Sequence, residues 1–188
     1  MKKLFLPPLI AIVTLIAPPA VADPCNDLWF TRNLIMDRAG YCFGSKLGKA
    51  TFDNAGCAGK SVELTRSEQR LVDQIRRTEK DLSCKVNTRA TRLSFGDKKW
   101  RWMMRDLPVA SEFESGCFGW LDPETPLYVA RSRNAPVAST IRRGDNLLYS
   151  HEHVDDWDYV LILRNDEVIG AGWLGYKTNE KSCEGWAG

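Results

Sequence analysis

The chain has 188 residues, of which 26 are lysine or arginine and 24 are aspartate or glutamate, so it carries almost no net charge. That balance excludes the strongly basic character by which many proteins attract nucleic acid, and we expect no nucleic-acid partner. Hydrophobic residues make up 44% of the chain and aromatic residues 10%, which is enough to bury a core and excludes general disorder.

The first 22 residues have the three parts of a secretory signal peptide. Lys2 and Lys3 form a positively charged start, residues 4–17 are apolar, and small residues stand at 20–22, where signal peptidase reads the chain. The apolar run is too short to span a bilayer comfortably, so we expect cleavage after Ala22 and no membrane span afterwards. The mature chain would carry 24 basic and 24 acidic residues, because two of the 26 basic residues leave with the signal. These features predict a periplasmic or secreted protein.

The cysteines predict three disulfides. An even number of cysteines in an exported chain is typical of a disulfide-bonded fold, and no two of them are spaced as in a redox-active or zinc-binding Cys-x-x-Cys motif. We expect Cys117–Cys183 to close a C-terminal unit. The other four allow three pairings, which the sequence leaves open; we prefer Cys25–Cys84 together with Cys42–Cys57. The six cysteines are Cys25, Cys42, Cys57, Cys84, Cys117 and Cys183.

The mature chain is predicted to begin with a helix. Asn26 or Asp27 can cap a helix over residues 28–38, because short polar side chains accept hydrogen bonds from the first free N–H groups. Gly40 suits the left-handed conformation that commonly ends a helix.

A second helix is predicted from Thr65. Thr65 and Glu68 have the spacing of a capping box, in which each side chain bonds the other residue's backbone. Apolar residues recur downstream at helical period and define a buried face, and we interpret the arginines between them as a solvated face. The apolar residues are Leu71, Val72, Ile75 and Leu82.

The segment LWFTRNLIMDRAGYCF and the following LTRSEQRLVDQIRRTE resemble the YARHG domain, a module of exported bacterial proteins thought to act at the cell envelope. The resemblance covers roughly residues 25–84. Met36, Asp37 and Ala39 depart from the motif and remove its histidine, so no role of that histidine transfers to this chain. The matching residues are Arg32, Asn33, Ile35, Arg38, Gly40, Tyr41 and Phe43.

Residues 85–106 are locally basic and are predicted to form a β-hairpin, with strands in TRLSF and WRWMMR on either side of GDKK. Trp100 and Trp102 would share one face of the second strand, with Arg101 opposite. One interpretation is a basic and aromatic patch that docks an anionic envelope polymer, lipid headgroups or a partner protein. The other, which we favour, is a half-buried strand whose tryptophans join a core.

The chain from Cys117 onward is predicted to be rich in β-strands. Leu127 and Val129, the Gly144-Asp145 turn, Trp157 and the Gly172-Trp173 pair stand in the order seen in bacterial SH3-like domains, which residues 120–178 resemble. The resemblance implies a small barrel that binds peptides or cell-wall fragments in some relatives. Trp157 and Trp173 are candidate binding residues, although a packing role is at least as consistent with the pattern.

Few residues suggest catalysis. His151, His153 and Asp155 would share a face of a strand and form a metal-binding trio, but a polar loop explains them better. No Gly-x-Ser-x-Gly nucleophile motif is present in the sequence, and paired cysteines supply no thiolate.

We therefore expect an α+β protein with a helical, disulfide-bonded N-terminal unit and an all-β SH3-like barrel. The expected function is non-enzymatic binding at the cell envelope, with peptidoglycan or an envelope protein as partner and no cofactor or metal. The alternative is a periplasmic metal-dependent hydrolase that uses His151, His153 and Asp155. Trp100, Arg101, Trp102, Trp157 and Trp173 are the candidate partner-binding residues. The expected boundaries are 1–22 signal peptide, 23–90 YARHG-like unit, 91–116 hairpin and linker, and 117–188 SH3-like unit.

Overall fold

A computed structural model describes residues 23–188, and the predicted signal peptide lies outside the described residues. Helices come first along the chain and strands follow. Within residues 23–188, no helix combines the length and the apolar character that crossing a membrane requires. The elements are α1 (Pro24–Arg38), α2 (Lys46–Phe52), α3 (Arg66–Asp81), α4 (Lys98–Arg101), β1 (Ala110–Trp120), β2 (Thr125–Tyr128), β3 (Val137–Ile141), β4 (Asn146–His151), β5 (Asp158–Arg164), β6 (Glu167–Leu174) and β7 (Cys183–Ala187).

Helix α1 begins three to four residues earlier than predicted. Asp23 is the cap, its side chain accepts a hydrogen bond from the N–H of Cys25, and Pro24 occupies the first turn, where its missing N–H is harmless. Asp27, one of the two predicted caps, is instead buried within the helix. Gly40 has a φ of 87°, as the left-handed end of the helix requires.

Helix α3 has the predicted start, since Thr65 and Glu68 form both hydrogen bonds of the capping box. Val72 and Ile75 are fully buried against α1, where they meet Leu28 and Ile35. The short helix α2, which Ser45 caps, was not predicted, because the glycines in and around this segment are typical of a loop.

The predicted β-hairpin over residues 91–105 is wrong. Residues 98–101 form α4, a single helical turn, and the rest of the segment is irregular. Asp97 and Arg101 are four residues apart and form an ion pair across that turn, a spacing that suits a helix and not a strand. Trp100 and Trp102 consequently do not share one face of a strand.

The seven strands form one sheet in the order β3-β2-β6-β5-β4-β1-β7, and every strand pair whose register is known is antiparallel. β5 and β6 are joined by a tight turn at Asn165-Asp166, both with positive φ. The sheet begins at Ala110, seven residues before the predicted start of the β unit. β3 and β7 are the edge strands and each pairs with a neighbour on one side only, so the sheet is open, and the predicted SH3-like barrel is not confirmed.

Each face of the sheet covers a core. On one face, Val160 and Ile162 pack with Trp120 and Ile141, which come from strands on both sides, so the sheet curves around this cluster. On the other face, Tyr159 and Trp173 pack against Met104 and neighbouring residues of the 98–107 segment. The helical part therefore covers one face of the sheet.

Three disulfides stabilise this arrangement: Cys25–Cys84, Cys42–Cys57 and Cys117–Cys183. They are the pairs that the sequence analysis preferred. The first joins the start of α1 to the end of α3, and the third joins β1 to the edge strand β7. Among the described residues no cysteine is free, so none of them supplies a thiolate.

Candidate functional site

A buried ionic network lies where the helical part meets the sheet. Arg101 of α4 is completely buried. Its Nη1 and Nη2 atoms each donate to Asp27 of α1 over 2.7 Å, and its Nε and Nη2 atoms donate to Asp97 over 3.1 and 2.8 Å. Tyr159 of β5 donates its hydroxyl to Asp97 over 2.6 Å. The network therefore ties α1, α4 and the sheet together.

His151, the last residue of β4, completes this network. Its Nε2 lies 3.0 Å from Asp27 Oδ2 and 2.9 Å from Arg101 Nη2, and its side chain is only 2% exposed. Thr31 also donates to Asp27 over 3.2 Å. Buried polar groups of this kind are stable only when paired, and each carboxylate here has at least two donors.

The charges of the network shift the pKa values of its members. Burial alone would raise the pKa of Asp27, but Arg101 and His151 outweigh that effect and hold it well below its ordinary value. Burial would lower the pKa of Arg101, but the negative charges of Asp27 and Asp97 outweigh burial and hold this pKa well above its ordinary value. Burial raises the pKa of Tyr159 well above its ordinary value, with Asp97 adding to the effect. Asp27 and Arg101 are therefore a permanent ion pair at neutral pH.

Asp27, Asp97 and His151 together resemble a metal site. Ligand atoms of Asp27, Asp97 and His151 lie within 4.8 Å of one another. However, Arg101 Nη2 lies 2.7, 2.8 and 2.9 Å from Asp27 Oδ2, Asp97 Oδ2 and His151 Nε2. The guanidinium therefore already supplies the positive charge that a metal ion would supply, and the cluster serves as a structural joint.

A groove of about 610 Å³ lies beside this joint. We call it the junction groove, because α1 and α3 form one wall and the 105–109 segment, the β2–β3 loop and the end of β4 form the other. Its buried apolar floor includes Ile35, Val109 and Trp173. The groove is within the size range of ligand-binding clefts. Its polar lining includes Arg38, Arg70, Gln74, Arg77, Arg105, Arg131, Glu68, Asp73, Asp106 and Glu152.

Some of these arginines are already held in place. Arg38 donates to the carbonyl oxygens of Trp102 and Met104 over 3.2 and 2.8 Å. Arg131 lies 3.6 Å from Asp106 and stacks over the ring of Trp173. These contacts hold the side chains of Arg38 and Arg131 in place at the groove.

Three other arginines of the groove are exposed and have no ion-pair partner among residues 23–188: Arg70, Arg77 and Arg105. Two of the acidic lining residues are engaged elsewhere. Glu68 bonds Thr65 in the capping box, and Asp73 bonds Gln69 and Arg76. Five arginines and four acidic residues line the groove, so its net charge is only slightly positive, and the three unpaired arginines are the groups available to an acidic ligand.

The structure places the candidate partner-binding residues from the sequence in different environments. Arg101 lies in the buried network and Trp173 is also fully buried, so neither offers a free surface. Trp100 and Trp157 are partly buried against the sheet core. Trp102 is 40% exposed, with its ring edge-on to Phe30 and Phe52. The predicted basic and aromatic patch does not form as one surface.

The alternative metal trio of His151, His153 and Asp155, which the sequence analysis did not favour, is not brought together. His151 belongs to the buried network, whereas His153 lies beyond the end of β4 and its Nδ1 contacts Asp158 over 2.8 Å. Asp155 sits in a turn with a φ of 54°. The alternation that would align the three residues requires a strand, and the strand ends at His151.

Sequence reasoning missed both the network and the groove. Asp27 and His151 are 124 positions apart, and no periodicity relates them. The spacing of Asp97 and Arg101 was a detectable signal for a helical ion pair. Arg70, Gln74 and Arg77 also follow helical spacing. Their sequence does not show that this face of α3 lies opposite the C-terminal part of the chain, across the junction groove.

Comparison with known families agrees with this two-part structure. The YARHG domain matches residues 9–80, which confirms the resemblance of the N-terminal part. The domain of unknown function DUF4453 matches residues 83–188, and an SH3-like domain is not found there. No curated protein and no solved structure matches the chain. The second match spans more than half of the chain, so the protein belongs to the DUF4453 family and carries a YARHG domain in front of that region.

Proposed function

We propose that this protein is exported to the cell envelope and works there as a non-enzymatic binding module, with the junction groove as its binding surface. The observation that carries the proposal is the groove itself, which is built jointly by the YARHG region and the DUF4453 region. A cleft between two units that a buried ionic network holds together is a common location for a ligand site.

The disulfides support the location. Three disulfides persist in oxidising compartments, and together with the YARHG domain they are consistent with a protein outside the cytoplasm. The signal-peptide pattern of residues 1–22 gives the route, and we propose the periplasm or the cell exterior as the destination.

The chemistry of the described residues supports binding over catalysis. The cluster that most resembles a metal site holds Arg101 at its centre. All six cysteines are in disulfides. The junction groove contributes arginines, a glutamine and apolar side chains, a set that recognises and orients a ligand.

The test fills the groove without changing its charge. Gln74→Trp places a bulky ring on the groove wall, and Gln69→Trp is the matched control on the same helix outside the groove. The mature chain and both variants are mixed with purified peptidoglycan and, separately, with solubilised envelope proteins, and retention is measured.

We expect one of these fractions to retain the wild type and the Gln69→Trp variant and to lose the Gln74→Trp variant. Equal retention of both variants would show that binding occurs elsewhere. No retention of the wild type by either fraction would contradict the proposed function.

A further inference from the structure

We propose that the junction groove binds a short acidic segment of a partner protein, in which two carboxylates flank an apolar side chain. This inference rests on the groove being the binding surface proposed above, and it names the ligand chemistry. It is argued from charge, spacing and the apolar floor of the groove.

The groove presents arginines that are free to pair with a ligand. Arg70, Arg77 and Arg105 are exposed at the groove and have no acidic partner among the described residues. Of the acidic residues that line the groove, Glu152 alone makes no side-chain hydrogen bond or ion pair within residues 23–188. Planar guanidinium groups pair best with carboxylates or phosphates, which accept two parallel hydrogen bonds.

Helix α3 sets the spacing between two of these arginines. Arg70, Gln74 and Arg77 follow one face of this helix, at steps of four and three residues. Arg70 and Arg77 are therefore about 10 Å apart along the axis, since each helical residue rises about 1.5 Å. An extended peptide covers that distance in about three residues. Side chains of an extended peptide alternate between its two faces, so only residues an even number of positions apart point to the same wall. Two acidic residues four positions apart, about 13 Å, share a face with the residue midway between them, and the flexible glutamate and arginine side chains span the remaining ~3 Å. Gln74 is available to bond the peptide backbone between them.

The apolar floor distinguishes a peptide from a lipid surface. Leu71, Leu107 and Val154 line the groove and are partly exposed, so an apolar side chain can enter and contact them between the two carboxylates. A bilayer presents a flat plane of headgroups, which cannot fill the recess between the walls. A single peptide strand can enter the recess.

The test uses synthetic peptides and fluorescence anisotropy. The probe is a labelled peptide with a Glu-Ala-Leu-Ala-Glu core and neutral Gly-Ser flanks, and the control peptides carry Gln-Ala-Leu-Ala-Gln or Glu-Ala-Ser-Ala-Glu. The protein is the full mature chain with its disulfides. The double variant Arg70→Gln/Arg77→Gln is compared with Arg89→Gln/Arg92→Gln, which removes the same charge at exposed positions outside the groove.

We expect the groove variant to bind the acidic peptide at least about tenfold more weakly, because it loses charge-assisted hydrogen bonds, and the control variant to bind like the wild type. Both control peptides should bind more weakly than the probe, and salt should weaken binding of the probe.

Four results would overturn the inference. One is binding that the two double variants reduce equally, and another is equal binding of the Gln-Ala-Leu-Ala-Gln peptide. The third is binding to phosphatidylglycerol vesicles, lost in the groove variant, without binding of the peptide. The fourth is that no peptide binds; if Gln74→Trp still abolishes retention on an envelope fraction, this inference fails while the proposed function stands.

Discussion

Replacing Arg101 with methionine should destabilise the protein severely. The guanidinium is fully buried and donates to Asp27 through two nitrogens and to Asp97 through two. Methionine fills similar space but leaves two carboxylates buried without their counter-ion. Breaking a buried ion pair from one side typically costs about 3–5 kcal/mol of unfolding free energy, a large share of the ~5–15 kcal/mol that holds a domain folded.

The assay is urea unfolding at pH 7 with intact disulfides, followed by tryptophan fluorescence. The matched control is Arg105→Met, the same substitution four residues away at an exposed position, where we expect a change within about 0.5 kcal/mol. If Arg101→Met does not fold, Tyr159→Phe provides a milder test, because it removes only the hydroxyl that donates to Asp97 and should cost about 1–3 kcal/mol.

The reasoning would be refuted if Arg101→Met and Arg105→Met had the same unfolding free energy. It would also be refuted if Tyr159→Phe were neutral, because Asp97 would then not depend on its donors.

Three further predictions concern stability and titration. The lowered pKa of Asp27 gives stability that is fully present above the unfolded-state pKa of about 4 and is lost as the pH falls towards the folded pKa. In the Asp27→Asn variant, the unfolding free energy should therefore fall less steeply as the pH is lowered from about 5. The hydrogen bond that His153 donates to the Asp158 carboxylate raises the pKa of the exposed His153, and NMR titration should show this pKa returning towards about 6.5 in Asp158→Asn. Any stability from that contact is present below the unfolded pKa and is lost as the pH rises through the folded value. Replacing both Cys117 and Cys183 with serine should cost about 4 kcal/mol in the same urea assay, because their bond closes a loop of 66 residues.

Each of these predictions has a result that contradicts it. An unchanged acid dependence in Asp27→Asn would show that other carboxylates dominate acid unfolding. A His153 titration that ignores Asp158→Asn would show that the contact does not form in solution. A double serine variant as stable as the wild type would show that β7 is held without its disulfide.

Local signals were enough to predict the parts of the fold that depend on nearby residues. The Thr65–Glu68 capping box and the apolar period after it define α3 from a few adjacent residues. β4 and β5 follow from short, mainly apolar runs between clear turns. The YARHG motif likewise depends on contiguous residues.

The errors arose where distant residues decide the structure. The 98–105 segment has the alternation of a strand, but tertiary contacts override it, because the buried Arg101 must reach Asp27 and Asp97 at once. The SH3-like prediction relied on the order of turns and tryptophans. That order does not determine which strands pair, and here β1 pairs with β4 and β7 and leaves the sheet open.

The candidate site was beyond sequence reasoning for the same reason. The junction groove exists because two units dock, and the arginines of α3 face it only in that docked arrangement. In the isolated sequence, Arg70 and Arg77 are indistinguishable from the solvated arginines of any amphipathic helix.

The most direct measurement of the central claim is site-specific photo-crosslinking in living cells. A photoreactive amino acid replaces Gln74 at the junction groove in one strain and Gln69, outside the groove on the same helix, in another. If the groove is the binding surface, position 74 will give a discrete cross-linked product and position 69 will give none. No product at position 74, or the same product at both positions, would contradict the account.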